Sequence, residues 1–250
     1  MRRSALVLAL LVLGCGASSS GPDPDDIPID ADVTILFIGN SLTYTNNLPG
    51  MLQRLLEEHG DVGTVGVASV AFPNYGLQDH WTHGGAREAI ASTDWDYVVI
   101  QQGPSATEGR PSLLDYSQRF ADEAASTGGR LALYMVWPAS DRPFDFAGVS
   151  DSYATAASQT GSLLFPAGEA WLAAWEIDPS LPLYGPDGFH PSLLGTYTAA
   201  IVMYQQISGK DPRFLPPEIP ATAGPIELPI GISDAVHDAA VAANAAFALP

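Results

Sequence analysis

The run Val33-Thr34-Ile35-Leu36-Phe37-Ile38 is apolar at all but one position and stops abruptly at Gly39-Asn40. It does not alternate polar with apolar residues, so it reads as a buried strand with no wet side. The Gly-Asn turn that follows lifts Ser41 to the carboxyl edge of a sheet. That edge is where open α/β folds hold their ligands.

The rest of the chain supplies the partners such a strand needs. Apolar residues at Met51, Leu52, Leu55 and Leu56 predict a helix over 49–59. Strands are expected over 64–70, 96–100, 130–137 and 162–165, and helices over 113–125 and 193–207. Strands alternating with helices predict an α/β fold with a mainly parallel five-stranded sheet covered on both faces. A proline-rich stretch, 211–229, reads as an extended arm over the surface. Ser233 is then expected to cap an alanine-rich last helix over 234–249. The folded unit is placed at 32–212, with 213–250 packed on the same domain.

The N-terminus has a different character. Met1-Arg2-Arg3 is basic, and residues 4–13 are apolar but too short to span a bilayer. Val12-Leu13-Gly14-Cys15 resembles a bacterial lipobox. Residues 1–14 are therefore expected to be a lipoprotein signal peptide, Cys15 the lipidated residue, and 15–31 a flexible tether rich in Ser, Gly, Pro and Asp. This predicts export to the bacterial cell envelope, with membrane contact through the lipid anchor alone. Cys15 is the single cysteine, so no intrachain disulfide forms. The formal net charge of −18, from 28 acidic against 10 basic side chains, argues against nucleic acid and anionic membrane surfaces as partners.

Chemistry gathers at two places far apart in the chain. A serine hydroxyl is a weak nucleophile until a base takes its proton, and a histidine base works best when a third group orients it. Asp187-Gly188-Phe189-His190-Pro191 supplies an imidazole with a carboxylate three residues before it, in a turn stiffened by Pro186 and Pro191. With Ser41 this completes the parts of a hydrolytic triad in the order Ser, Asp, His. Thr43 occupies the last glycine position of Gly-x-Ser-x-Gly, which argues against the α/β-hydrolase fold. His80-Trp81-Thr82-His83 has the wrong spacing for a zincin helix, so no metal is expected. No dinucleotide fingerprint or phosphate-cradling loop is present, and no cofactor is implied. Trp137 and Asp141 follow the fourth expected strand and are candidates to line a cleft.

Residues 37–41, followed by Thr43-Tyr44-Thr45-Asn46-Asn47-Leu48-Pro49, resemble the opening block of the SGNH (GDSL-type) hydrolases, in a poorly characterised Gly-Asn-Ser branch. Trp95-Asp96-Tyr97-Val98-Val99-Ile100-Gln101 is similar to the third block of that branch. Asp187 to Ser192, with Gly195, Tyr197 and Ala200, is similar to the final block. The resemblance implies a three-layer α/β/α sandwich of flavodoxin type, with Ser41 as nucleophile, His190 as base and Asp187 as its orienting partner. It further implies an oxyanion hole of the Ser41 N–H, a second-block glycine N–H, matched loosely by Gly76, and a third-block asparagine. Here Gln101 and Gln102 stand in place of that asparagine, and a glutamine amide can donate the same bond. Strand alternation turns them to opposite sides, so one of the two is expected to face the site.

The activity implied is a serine esterase acting on a small-molecule or glycan ester, with deacetylation of a polysaccharide favoured. Lipase and thioesterase activities belong to the same superfamily. The rival reading is a non-catalytic glycan-binding lipoprotein on the same scaffold, with an impaired oxyanion hole.

Overall fold

The computed structural model describes residues 31–83 and 85–247. The expected signal peptide, Cys15 and the tether up to residue 30 lie outside the described residues.

Strand β1 (Val33–Gly39) is followed by a short helix α1 (Ser41–Tyr44) and by α2 (Leu48–His59). Next come β2 (Val65–Ala71), α3 (Leu77–His83), α4 (Gly85–Ser92), β3 (Tyr97–Ile100), α5 (Arg110–Ser126) and β4 (Arg130–Met135). The chain continues through α6 (Phe146–Thr160), β5 (Leu163–Pro166), α7 (Ala167–Ile177), α8 (Leu193–Ser208), β6 (Glu218–Ala221), β7 (Gly224–Glu227) and α9 (Ile230–Ala246). The main sheet has the order β2-β1-β3-β4-β5 and every pairing in it is parallel. Helices α3 to α6 pack in sequence on one another, while α2, α7, α8 and α9 form a second set. The result is a three-layer α/β/α sandwich.

The burial pattern follows from that layering. Ile35, Leu36, Phe37 and Ile38 are wholly buried, because β1 lies inside the sheet with a helix layer over each face. Helix α8 is buried from Leu194 through Tyr204, which accounts for a sequence apolar on all sides rather than along one stripe. Ser192 caps it by accepting a hydrogen bond from the Gly195 N–H at 3.0 Å. Gly195 also lets the first turn of α8 press against its neighbours. A Cβ there would run into the Leu183 carbonyl and the Trp171 ring. Gly195→Ala is therefore expected to cost about 1–3 kcal/mol, read as a lower thermal midpoint.

Topology sets the position of the site. In the order 2-1-3-4-5, the chain leaves β1 toward β2 on one side and returns to β3 on the other. The crevice beyond the carboxyl ends of β1 and β3 is where such sheets receive ligands. Gly39, Asn40 and Ser41 lie there.

Two expectations need correcting, and four helices were not expected. The arm after α8 is not simply extended: β6 and β7 pair as an antiparallel hairpin in which Pro220 lies opposite Pro225. A two-stranded edge ribbon tolerates both prolines because neither position must donate to a neighbouring strand. Ser233 does not cap the last helix, which starts a turn earlier. The Pro229 carbonyl already accepts from the Ile232 and Ser233 N–H groups at 2.9 and 3.0 Å. Ser233 is instead buried, with its hydroxyl beside His237. Helices α3, α4, α6 and α7 are the additional ones; α6 gives little sequence signal because Phe146–Thr160 is rich in Ser, Thr and Ala and shows little apolar period.

Candidate active site

The turn that carries Ser41, the candidate nucleophile, is held by hydrogen bonds within it and to the loop before α3. Asn40 is the N-cap of α1 and its Oδ1 accepts from the Leu42 N–H at 3.1 Å. Its Nδ2 donates to the Tyr75 carbonyl at 2.9 Å, tying the turn to the loop before α3. Ser41 is thus the first residue of a helix, and its N–H has no intrahelical partner. Gly39 is required by closeness of approach: a Cβ there would strike the Thr43 hydroxyl and the Gln101 side-chain oxygen. Beneath the turn, buried His80 places Nε2 2.7 Å from the Gly39 carbonyl. Burial lowers the pKa of His80, so the ring is a neutral donor there.

The structure brings Ser41, His190 and Asp187 into one hydrogen-bonded chain across 149 positions of sequence. The Ser41 Oγ lies 2.8 Å from His190 Nε2, and His190 Nδ1 lies 2.5 Å from Asp187 Oδ2. The other oxygen of Asp187 accepts from the Phe189 and His190 N–H groups at 3.0 and 2.9 Å. The hydrogen bond from the His190 ring, followed by that from the Phe189 N–H, holds the Asp187 pKa down at about 2. A carboxylate only accepts, so Nδ1 carries the imidazole proton and Nε2 offers its lone pair to the serine hydroxyl.

The direction of the Asp187 shift fixes a pH dependence. A folded pKa below the ordinary 3.8 means that ionised Asp187 favours the folded loop above that pH, and the contribution is lost as pH falls through about 2. An NMR titration of the Asp187 carboxyl carbon should give a midpoint near 2 in the wild type and a higher one in His190→Ala. A wild-type midpoint at 3.8 would contradict the pairing.

The loop that carries His190, the candidate base, is held from two sides. Gly188, at φ +71°, makes the turn possible, and its carbonyl accepts from the Ser140 N–H at 2.8 Å. Trp137 Nε1 donates to the Phe189 carbonyl at 3.0 Å, and the Tyr184 hydroxyl to the Pro138 carbonyl at 2.7 Å. From the opposite side Asn46 Nδ2 donates to the Pro191 carbonyl and the Thr196 hydroxyl at 3.1 and 2.9 Å. Asn46 has φ +55°, a left-handed conformation that asparagine tolerates and most residues do not. Sequence reasoning missed this clip, although two adjacent asparagines before a proline were a visible turn signal. Trp137 is fully buried and does not line a cleft by its face.

The oxyanion assignments fare differently. The Gly76 N–H donates to Asp79 Oδ2 at 2.8 Å. Gly76 sits three residues before Asp79 at the start of α3, and the carboxylate reaches back to it as in a capping box. Both glutamine amides are also engaged. Gln101 Oε1 accepts from the Asn40 N–H at 2.9 Å and the Thr43 hydroxyl at 2.8 Å, while its Nε2 donates to the Gln102 carbonyl at 2.6 Å. Gln102 Oε1 accepts from the Leu77 N–H at 3.2 Å, and its Nε2 donates to the Ser105 hydroxyl at 2.8 Å and the Gly109 carbonyl at 2.9 Å. Backbone partners fix which end of each amide is oxygen. Gln101 is only 1% exposed and Gln102 7%, so neither presents its amide to the crevice. Of the four expected groups, the Ser41 N–H alone donates to no protein acceptor among the described residues. His80 and His83 each direct a ring nitrogen at a backbone carbonyl rather than at a shared point.

Sheet order, helix layers and the edge position of Ser41 define the fold of the SGNH hydrolases, and solved structures agree. A protein from Slackia heliotrinireducens described as a candidate SGNH hydrolase is similar over 70% of this chain and 98% of its own, at 28% identity and TM-score 0.59. A DUF4886 family protein from Bacteroides uniformis is similar over 83% and 93%, at 18% identity and TM-score 0.65. An acetyl xylan esterase is similar over 70% and 100%, at 16% identity and TM-score 0.57. No protein-family model matches the sequence, and no curated protein matches it.

Proposed function

We propose that this protein is a serine esterase that removes small acyl groups, acetyl above all, from carbohydrate esters. The observation that carries this reading is the unbroken chain from the Ser41 hydroxyl through His190 to Asp187. His190 Nε2 takes the Ser41 proton as Oγ attacks the ester carbonyl. The Ser41 N–H faces the developing oxyanion. His190 then protonates the departing alcohol, and a water activated by the same nitrogen releases the acyl group. Asp187 holds the ring in the required tautomer and stabilises the imidazolium. The choice of an acetylated glycan is supported by the acetyl xylan esterase among the structural neighbours and by the envelope address expected from residues 1–15.

A second reading, glycan binding without turnover, draws support from the Asp79 carboxylate on the Gly76 N–H, which leaves the oxyanion hole short of a donor. One experiment separates the two. Incubation with a fluorophosphonate probe should label Ser41 in the wild type and nothing in Ser41→Ala, and 4-nitrophenyl acetate should be turned over by the wild type alone. Absence of labelling together with equal acetate release from both proteins would leave only the binding reading.

A further inference from the structure

A cavity of about 270 Å³ lies beside the candidate triad, between the loops that follow β3 and β4. One wall is Phe189, whose ring meets that of His190 edge-on, with centroids 5.4 Å apart. The cavity therefore reaches the loop of His190 at Phe189, one residue before the imidazole. A base that returns its proton to the leaving group must have that group against it. A group seated here and linked to the reacting carbonyl lies on the side of the base, as the alcohol half of an ester does.

The lining describes that alcohol. Apolar surface from Phe189, Pro104 and Pro138 shares the cavity with Glu108, Arg142 and Asp145. Asp145 forms an ion pair with Arg142 Nε at 2.7 Å, which holds the guanidinium beside the cavity. The terminal nitrogens of Arg142 donate to no protein oxygen among the described residues, and donors and acceptors thus stand side by side. A group that both gives and takes hydrogen bonds, with an apolar face for Phe189, satisfies the wall; a plain aryl or alkyl alcohol leaves its polar groups unpartnered. The volume lies just below the ~300–1,000 Å³ of sites that enclose drug-sized ligands, which matches about one sugar ring. Ser105 in the far wall is held at φ +60°, with the Gln102 amide on its hydroxyl at 2.8 Å. A buried non-glycine residue kept left-handed by a second buried side chain is a shape maintained at a cost in strain.

We infer that this cavity is the leaving-group subsite and that Glu108, Arg142 and Phe189 make it selective for a single hydroxyl-bearing sugar ring. The inference rests on the esterase reading above. The test compares kcat/KM for a monoacetylated methyl xyloside with that for 4-nitrophenyl acetate, in the wild type, Arg142→Ala and Glu108→Gln. The ratio of the two should fall by about 10-fold or more in each variant, the loss of one hydrogen bond to a substrate hydroxyl. Glu108→Gln is nearly isosteric and exposed, so it answers even where Arg142→Ala disturbs its loop. A ratio unchanged within about two-fold in both variants overturns the subsite, as does a wild type that cleaves the aryl ester and ignores the xyloside. A wild type that cleaves neither ester and resists the fluorophosphonate removes the esterase reading itself.

Discussion

Ser41→Ala, His190→Ala and the double variant should each lose on the order of 10⁴-fold or more in kcat on 4-nitrophenyl acetate, with the double variant no worse than the singles. The serine is a nucleophile only while His190 takes its proton, and among the described residues the imidazole has no other partner at Nε2 than the 2.8 Å hydroxyl. Once either is gone, the second has nothing left to contribute. Additive losses would instead mean that the two act independently and that the observed hydrogen bond is incidental. Both side chains lie at the open crevice, where His190 is 36% exposed, so their removal leaves the core untouched. Thermal midpoints within a few degrees of the wild type would assign the loss to chemistry rather than to unfolding. Any residual rate over buffer measures what the Ser41 N–H and substrate binding supply by themselves.

What could be read from the sequence was local and imposed by spacing; what could not be read depended on distant partners or on a local bond that spacing leaves open. Ser41 was legible because an apolar run ending in Gly-Asn leaves the next residue at a sheet edge whatever else the chain does. Asp187 and His190 were legible because three residues of stiff turn suffice to bring carboxylate to ring. The oxyanion hole was not. Whether the Gly76 N–H is free depends on the side chain of Asp79, a capping relation that spacing alone allows but does not impose. The two glutamines are adjacent, yet their partners lie 61 positions away at Asn40 and 25 at Leu77. Alternation correctly turned them to different surroundings; it could not say that both surroundings are interior. The same limit hid the Asn46 clip, whose acceptors are 145 and 150 positions downstream.

Gln101 is where this matters most, and Gln101→Ala should unfold more easily rather than simply react more slowly. Its carbonyl oxygen is the shared acceptor for the Asn40 N–H and the buried Thr43 hydroxyl, and its amide spans to the next residue's carbonyl. Truncation leaves those donors in a dry interior with no water to replace the lost partner. Each such group costs about 1–3 kcal/mol, so a total of roughly 2–4 kcal/mol is expected. For a chain of this size that corresponds to a fall on the order of 5–15 °C in Tm. Turnover should fall as well, because the turn that presents Ser41 loses its anchor to β3. The diagnostic is which quantity moves first: an oxyanion donor would cost about 10²–10³-fold in kcat at an unchanged Tm. That outcome would return Gln101 to the reaction centre. A lowered Tm, with labelling of Ser41 by the fluorophosphonate retained below it, would establish Gln101 as the support on which the nucleophile turn rests. The position taken by asparagine in the resembling family would then serve the serine's geometry here rather than the oxyanion's charge.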